Sequence, residues 1–139
     1  MSVKIRAVRP EDYQALRELW SAAGLTFDIG DAAPDFLWAL THGGQHYLAG
    51  EMPSGHLAGS VLGAFDGRRG WIYHLAVHPL YQRQGFGRML MQAAENSLRG
   101  AGCLKVNLLV EAHNLAVRNF YRKIGYRSAD NLFMEKIIH

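Results

Sequence analysis

The sequence predicts an α/β fold built around a mixed sheet. Three observations predict it: period-2 alternation of apolar residues near the N-terminus, a central run of strand patterns joined by tight-turn residues, and alternating strand and helix patterns beyond Pro79. The order is a strand, helices, a three-strand meander, and then strands and helices in turn.

From Val3 to Val8, apolar Val3, Ile5 and Ala7 alternate with Lys4 and Arg6, which predicts a half-buried strand ended by Pro10. Pro10, Glu11 and Asp12 suit a helix N-terminus, and Leu16, Leu19, Trp20 and Ala23 recur at helical spacing, so a helix is expected to about Ala23. Gly24, Gly30 and Pro34 mark a loop, after which Phe36, Leu37 and Leu40 predict a short helix before Gly43. Gln45 to Gly50 and Leu57 to Phe65 form a hairpin around Met52-Pro53-Ser54-Gly55, and Trp71 to Val77 follows a second turn at residues 66–70. Met89, Leu90, Met91, Ala93, Ala94 and Leu98 define a helix that stops at Gly100-Ala101-Gly102. Leu104 to Val110 reads as a strand, Leu115 to Ile124 as a helix ended by Gly125, and Leu132 to Ile138 as a last strand.

At 139 residues the chain suits one domain over residues 1–139, and 49% hydrophobic against 19% charged residues is a globular balance. The lone Cys103 excludes an internal disulfide and a cysteine metal cluster, so no metal is expected and a cytoplasmic location is. Charges at Arg6, Arg9, Glu11 and Asp12 break the only apolar stretch where a signal peptide would lie, and no apolar run is long enough to span a bilayer, so no membrane is expected. The net charge of +3 is mild and its basic residues are scattered, which argues against nucleic acid as a partner.

One loop points to chemistry. Tyr81-Gln82-Arg83-Gln84-Gly85-Phe86-Gly87-Arg88 joins a strand to a helix whose first backbone N–H groups and positive dipole end suit a phosphate. Gly85 and Gly87 permit close approach, and Arg83 and Arg88 can pair with phosphate oxygens. Taken alone, the same residues describe a plain turn with solvated arginines. A nucleotide P-loop is excluded because no Gly-Lys-Ser/Thr follows, and a dinucleotide fingerprint because Leu90 stands in place of its third glycine.

Leu75-Ala76-Val77-His78-Pro79 followed by Gln82-x-x-Gly85-x-Gly87 resembles the cofactor motif of the GNAT (GCN5-related N-acetyltransferase) superfamily. Asn114-x-Ala116-x-x-x-Phe120-Tyr121-x-x-x-Gly125-Tyr126 is similar to that family's second signature, with Ala116 one position early and Tyr126 replacing the usual aromatic. The resemblance runs from Val3 to Ile138. It implies the GNAT fold, a mixed sheet of about six to seven strands with helices on both faces, and acetyl-coenzyme A as acetyl donor. The backbone of Gln82, Arg83, Gln84, Gly85, Phe86, Gly87 and Arg88 would hold the pyrophosphate, Leu75, Ala76 and Val77 the pantetheine arm, and Asn114, Ala116 and Phe120 would complete the donor site.

Acetyl transfer to an amine needs a neutral nucleophile, a stabilised oxyanion and an acid for the leaving thiolate. Tyr121 is the candidate acid: it follows Asn114 by about two helical turns, and the matching tyrosine serves this role in the family. As a residue of a helix it equally suits a core aromatic, and Asn114 equally suits a helix N-cap. The base is harder to find. Positions where family members carry a glutamate or histidine are Trp71, Tyr73 and Leu109 here, and Leu109 counts against a modifier of ribosomal-protein N-termini. Of the nearby His74, Glu111 and His113, alternation turns His74 away from the face of Tyr73. Amine deprotonation is therefore expected through ordered water with Tyr73 in the relay.

Phe27, Phe36 and Trp38 are candidates for an apolar wall of the acceptor pocket, or for core. The expected function is N-acetylation of a primary amine, on a small molecule or a protein N-terminus. The alternative is a catalytically silent acyl-coenzyme A-binding module. GNAT-like domains often pair through their C-terminal strands, so the apolar stretch 132–138 predicts a homodimer.

Overall fold

A computed structural model describes residues 2–138. The chain folds as two compact units, residues 1–109 and 110–139.

The first unit carries a five-stranded sheet in the order β1 (Lys4–Ala7), β2 (His46–Glu51), β3 (Leu57–Phe65), β4 (Gly70–Val77) and β5 (Val106–Leu108). The first four pair antiparallel as neighbours in sequence, and β5 joins β4 in parallel after a helical crossover. Short-range chemistry makes the turns. Gly55 at φ 89° closes the β2–β3 connection, with Met52 N–H donating to the His56 carbonyl at 2.9 Å. In the β3–β4 turn the Asp66 carboxylate accepts from the N–H groups of Arg68 and Arg69, each at 2.7 Å.

The first helix, α1 (Tyr13–Ala22), follows a 3-10 turn at Pro10–Asp12 and buries Leu16, Leu19 and Trp20 at helical spacing. Its start is anchored by an ion pair. Arg6 of β1 donates to both Asp12 carboxylate oxygens at 2.8 and 2.9 Å and to Glu51 of β2 at 2.9 Å, while Arg9 N–H donates to Asp12 at 2.7 Å. Burial alone would push the Asp12 carboxyl up, but the bonds from Arg6 and Arg9 outweigh it and hold the group below the ordinary carboxylate range. The second helix, α2 (Ala33–Gly43), has Pro34 in its first turn and buries Phe36.

Helices cover both faces of the sheet. Leu16, Leu19, Trp20 and Phe36 pack with Val8, Ala49, Leu62 and Ala76 in one core. The opposite face receives α3 (Phe86–Gly100) through Leu90, Met91, Ala94 and Leu98. Neighbouring residues of β3 divide between these layers: Ser60 accepts from Trp20 Nε1 at 2.9 Å, whereas a Cβ on Gly59 would lie 2.6 Å from Leu90 Cδ1. Glycine at 59 thus sets how closely α3 approaches the sheet.

Three sequence expectations are corrected. Among the described residues the sheet has five strands, not six to seven, and the stretch 132–138 is not a strand, because no ladder partner pairs with it. The strand expected over 104–110 is only Val106–Leu108, with Leu104 almost fully exposed. In the second unit, α4 (Leu115–Lys123) is capped by the Asn114 side chain, which accepts from Val117 N–H at 3.2 Å. Among the described residues no helix is long and apolar enough to cross a membrane.

Candidate active site

The loop 82–88 begins with a tether. Gln82 Nε2 donates to the Val77 carbonyl at 3.0 Å, tying the loop to the end of β4. Arg83 at φ 64° and Gly85 at φ 83° both adopt the left-handed region, which reverses the chain and leaves Gly85 as the N-cap of α3. No side chain caps this helix. The first bond into α3 is Met89 N–H to the Gly85 carbonyl at 3.1 Å, so the N–H groups of Phe86, Gly87 and Arg88 have no acceptor within the helix. A Cβ built on Gly85 would meet no protein atom within 4 Å. The cradle is therefore open, with Arg83, Gln84 and Arg88 exposed around it. The Phe86 side chain is buried with Met52, Ala58 and Tyr81, so only its backbone is available to a ligand.

The strand leading to this loop has a free edge. β5 pairs with Gly70, Trp71 and Ile72 and ends at Leu108, so from Tyr73 to Val77 β4 has a ladder partner only on the β3 side among the described residues. Leu75, Ala76 and Val77 stand on that stretch, with Ala76 buried.

Within the same strand, Leu62 pairs with Tyr73 and Ser60 with Ala76, so two residues, His74 and Leu75, oppose one, Val61. This β-bulge carries His74 at φ 47°. Trp20 Nε1–H donates to Ser60 Oγ, whose hydroxyl donates to the His74 carbonyl at 2.9 Å. The bulge cancels the alternation expected from sequence. His74 lies on the α1 face, its ring 4.6 Å from that of Trp20 and its Nε2 2.7 Å from Asp31 Oδ1. Asp31 itself is buried and also accepts from Asp28 N–H at 3.0 Å.

His74 and Asp31 line a cavity of about 240 Å³ together with Arg17, Trp20 and Phe27. Of the three aromatics expected as an apolar wall, Phe27 lies here, with the Arg17 guanidinium 4.0 Å over its ring. Phe36 is core, and Trp38 is exposed and stacked on His42. Tyr73 is exposed at the strand surface, and partial burial raises its hydroxyl above the ordinary phenol value. Asp31 and Arg17 carried no recognisable pattern in the sequence.

In the second unit, α4 places Tyr121 with its ring 5.1 Å from Phe120 and 5.6 Å from Tyr126. Tyr121 is buried, and burial pushes its hydroxyl up to about 12. At neutral pH the phenol stays protonated, as an acid must. Asn114 and Ala116 are exposed, and Phe120 is half-buried.

The family model described as acetyltransferase (GNAT) matches residues 12–126. An acetyltransferase of Yersinia pestis (strain Pestoides F) is 34% identical over 134 residues, covering 96% of this chain and 94% of its own. Among solved structures, PaiA N-acetyltransferase from Thermoplasma acidophilum in complex with coenzyme A superposes with a TM-score of 0.80 at 22% identity, over 94% of this chain and 93% of that one. The ribosomal-protein-S18-alanine N-acetyltransferase of Escherichia coli gives 0.76 at 23% identity, over 92% and 79%. At these identities the structural matches speak to the fold.

Proposed function

The chain belongs to the acetyltransferase (GNAT) family, and from that premise we propose that it moves the acetyl group of acetyl-coenzyme A onto a primary amine. The observation that carries this reading is the uncapped start of α3. Three backbone N–H groups without helical acceptors, flanked by Arg83 and Arg88, follow a short turn and loop after a strand whose outer edge from Tyr73 to Val77 has no ladder partner among the described residues.

In this reading the amides of Gln84 to Arg88 hold the pyrophosphate, with Gln82 tethering the loop. The edge at Leu75, Ala76 and Val77 pairs with the amide groups of the pantetheine arm. Asn114, Ala116 and Phe120 complete the donor site. The amine attacks the thioester carbonyl directly, a C–N bond forms, the C–S bond breaks, and Tyr121 protonates the departing thiolate. Tyr73 is neutral at physiological pH, so it hands protons along a relay and does not act as an anionic base. One family model crosses both units, which supports one catalytic domain over residues 1–139. The reading also includes a cytoplasmic location, on the buried free thiol of Cys103, and a homodimer formed through the exposed apolar segment 132–138.

Gly85→Ala tests the donor site. The added methyl would stand in open space at the start of α3, where the proposed pyrophosphate lies, and the left-handed backbone costs about 1 to 2 kcal/mol. Calorimetry is expected to show acetyl-coenzyme A affinity at least tenfold weaker in a variant that remains folded, and unchanged affinity would overturn the assignment. Thiol release with a panel of amines tests turnover. Donor binding without release for any amine would leave a silent module.

A further inference from the structure

We propose that the cavity between α1, the loop 24–31 and β4 is the acceptor site, that His74 takes the proton from the acceptor's ammonium group, and that Arg17 binds a carboxylate on the same acceptor, which makes the acceptor a small amino acid. This rests on the acetyltransfer reading above and names the substrate class for it.

His74 is held as a base would be. Asp31 can only accept at the 2.7 Å contact, so Nε2 of a neutral His74 carries the hydrogen and Nδ1 the lone pair. No buried side-chain nitrogen or oxygen lacks a partner among the described residues, and Nδ1 has none, so that lone pair is accessible. The His74 side chain is 22% exposed and lines the cavity. Its left-handed backbone at the bulge is fixed by the Trp20–Ser60 hydrogen-bond chain, and such strain persists only where the surroundings over-determine it. The ionisable groups around the ring are Asp31 from the loop, Arg17 from α1 and Tyr73 from β4, with Tyr47 of β2 in electrostatic reach of Asp31 and Tyr73. Both phenols are raised, chiefly by burial, and remain neutral near pH 7. Among these groups the imidazole is the one with a free nitrogen lone pair.

Arg17 supplies the specificity. Arg17 is partly buried as a residue, its guanidinium rests on the Phe27 ring and donates to Tyr13 Oη at 2.8 Å, yet no carboxylate pairs with it among the described residues. A guanidinium held over an aromatic ring with no carboxylate partner favours an anionic ligand, and its planar fork matches a carboxylate. Tyr13 in turn donates to the Asp31 carbonyl at 2.7 Å, so one hydrogen-bonded frame positions both Arg17 and the partner of His74. The volume, about 240 Å³, is below the roughly 300 to 1,000 Å³ of drug-sized pockets and suits a small acceptor.

The step balances. The ammonium gives one proton to His74 Nδ1, and the freed lone pair forms the C–N bond as the C–S bond breaks. A second N–H proton is lost on acylation and offsets the one taken up by the thiolate. His74 returns its proton to solvent, so the products are an N-acetyl amino acid, the free thiol and one proton.

Thiol release from acetyl-coenzyme A is measured with matched free amino acids and amino acid amides, and donor affinity by calorimetry. Wild type is expected to favour the free acids by about 100-fold in kcat/KM, as a bidentate ion pair allows. His74→Asn, whose side chain tolerates the left-handed backbone, is expected to bind donor normally and lose about 100-fold in kcat at pH 7, with its rate climbing as the amine deprotonates by itself. Asp31 is a positioning residue, so Asp31→Asn should lower kcat less and displace the pH profile. Arg17→Gln should collapse the preference for acids over amides. Amides used as well as acids, or a wild-type pH profile in His74→Asn, would overturn the inference while leaving acetyltransfer intact. Bound donor with no thiol release from either series would overturn acetyltransfer as well.

Discussion

Tyr121 is where a single atom separates two roles. Its ring packs between Phe120 and Tyr126, and Tyr121→Phe keeps that packing while removing the hydroxyl. If the phenol protonates the leaving thiolate, kcat falls roughly ten- to a hundredfold with KM almost unchanged, because the contact exists only in the transition state. Wild-type kcat in the phenylalanine variant would return Tyr121 to a packing role. His74 shows the limit of reading one residue from its neighbours. Period-2 alternation turned it away from Tyr73, yet a single left-handed residue in β4 brings it to the α1 face beside Asp31. Positive φ is rare outside glycine and leaves no mark in a hydrophobic pattern.

Elements whose chemistry is local were legible: the two hairpin turns, the Pro10 start of the first helix, the glycine-flanked start of α3 and the asparagine cap of α4 are all set by residues close in sequence. Elements that depend on a distant partner were not. The apolar stretch 132–138 has strand composition but no ladder, and β5 is cut to three residues. Asp31 acquires its meaning only from a histidine 43 residues away. The Arg6 junction joins β1, β2 and the start of α1, and it predicts an acid response. Asp12 is held below its unfolded value of about 3.9, so its contribution is present above that pH and is lost as pH falls through the folded value. Asp12→Asn should destabilise by about 1 to 3 kcal/mol near pH 7. The gap from wild type should shrink towards pH 3 in thermal melts, and a gap independent of pH would show that the pair carries no linked stability.

At the scale of the molecule, Leu132, Met134 and Ile138 are each more than four-fifths exposed. Self-association would cover them, so light scattering is expected to report twice the monomer mass, and a monomer at high concentration would exclude the dimer. The unpaired side of β4 has a different consequence, one for the empty enzyme. Among the described residues no strand pairs with this edge from Tyr73 to Val77, although the His74 carbonyl is taken by Ser60 Oγ and the Val77 carbonyl by Gln82 Nε2. The backbone groups left over are a template on which a foreign strand can nucleate, and heating without donor should let molecules polymerise there. In the proposed donor site a pantetheine arm on that edge would take the place of the missing strand. Donor at about 100 times its Kd also stabilises the native state by about 2.7 kcal/mol. Acetyl-coenzyme A would thus protect the protein as well as serve as its substrate, and turbidity during a thermal ramp is expected to begin at a higher temperature in its presence. An onset that donor does not move would mean that aggregation starts from another surface.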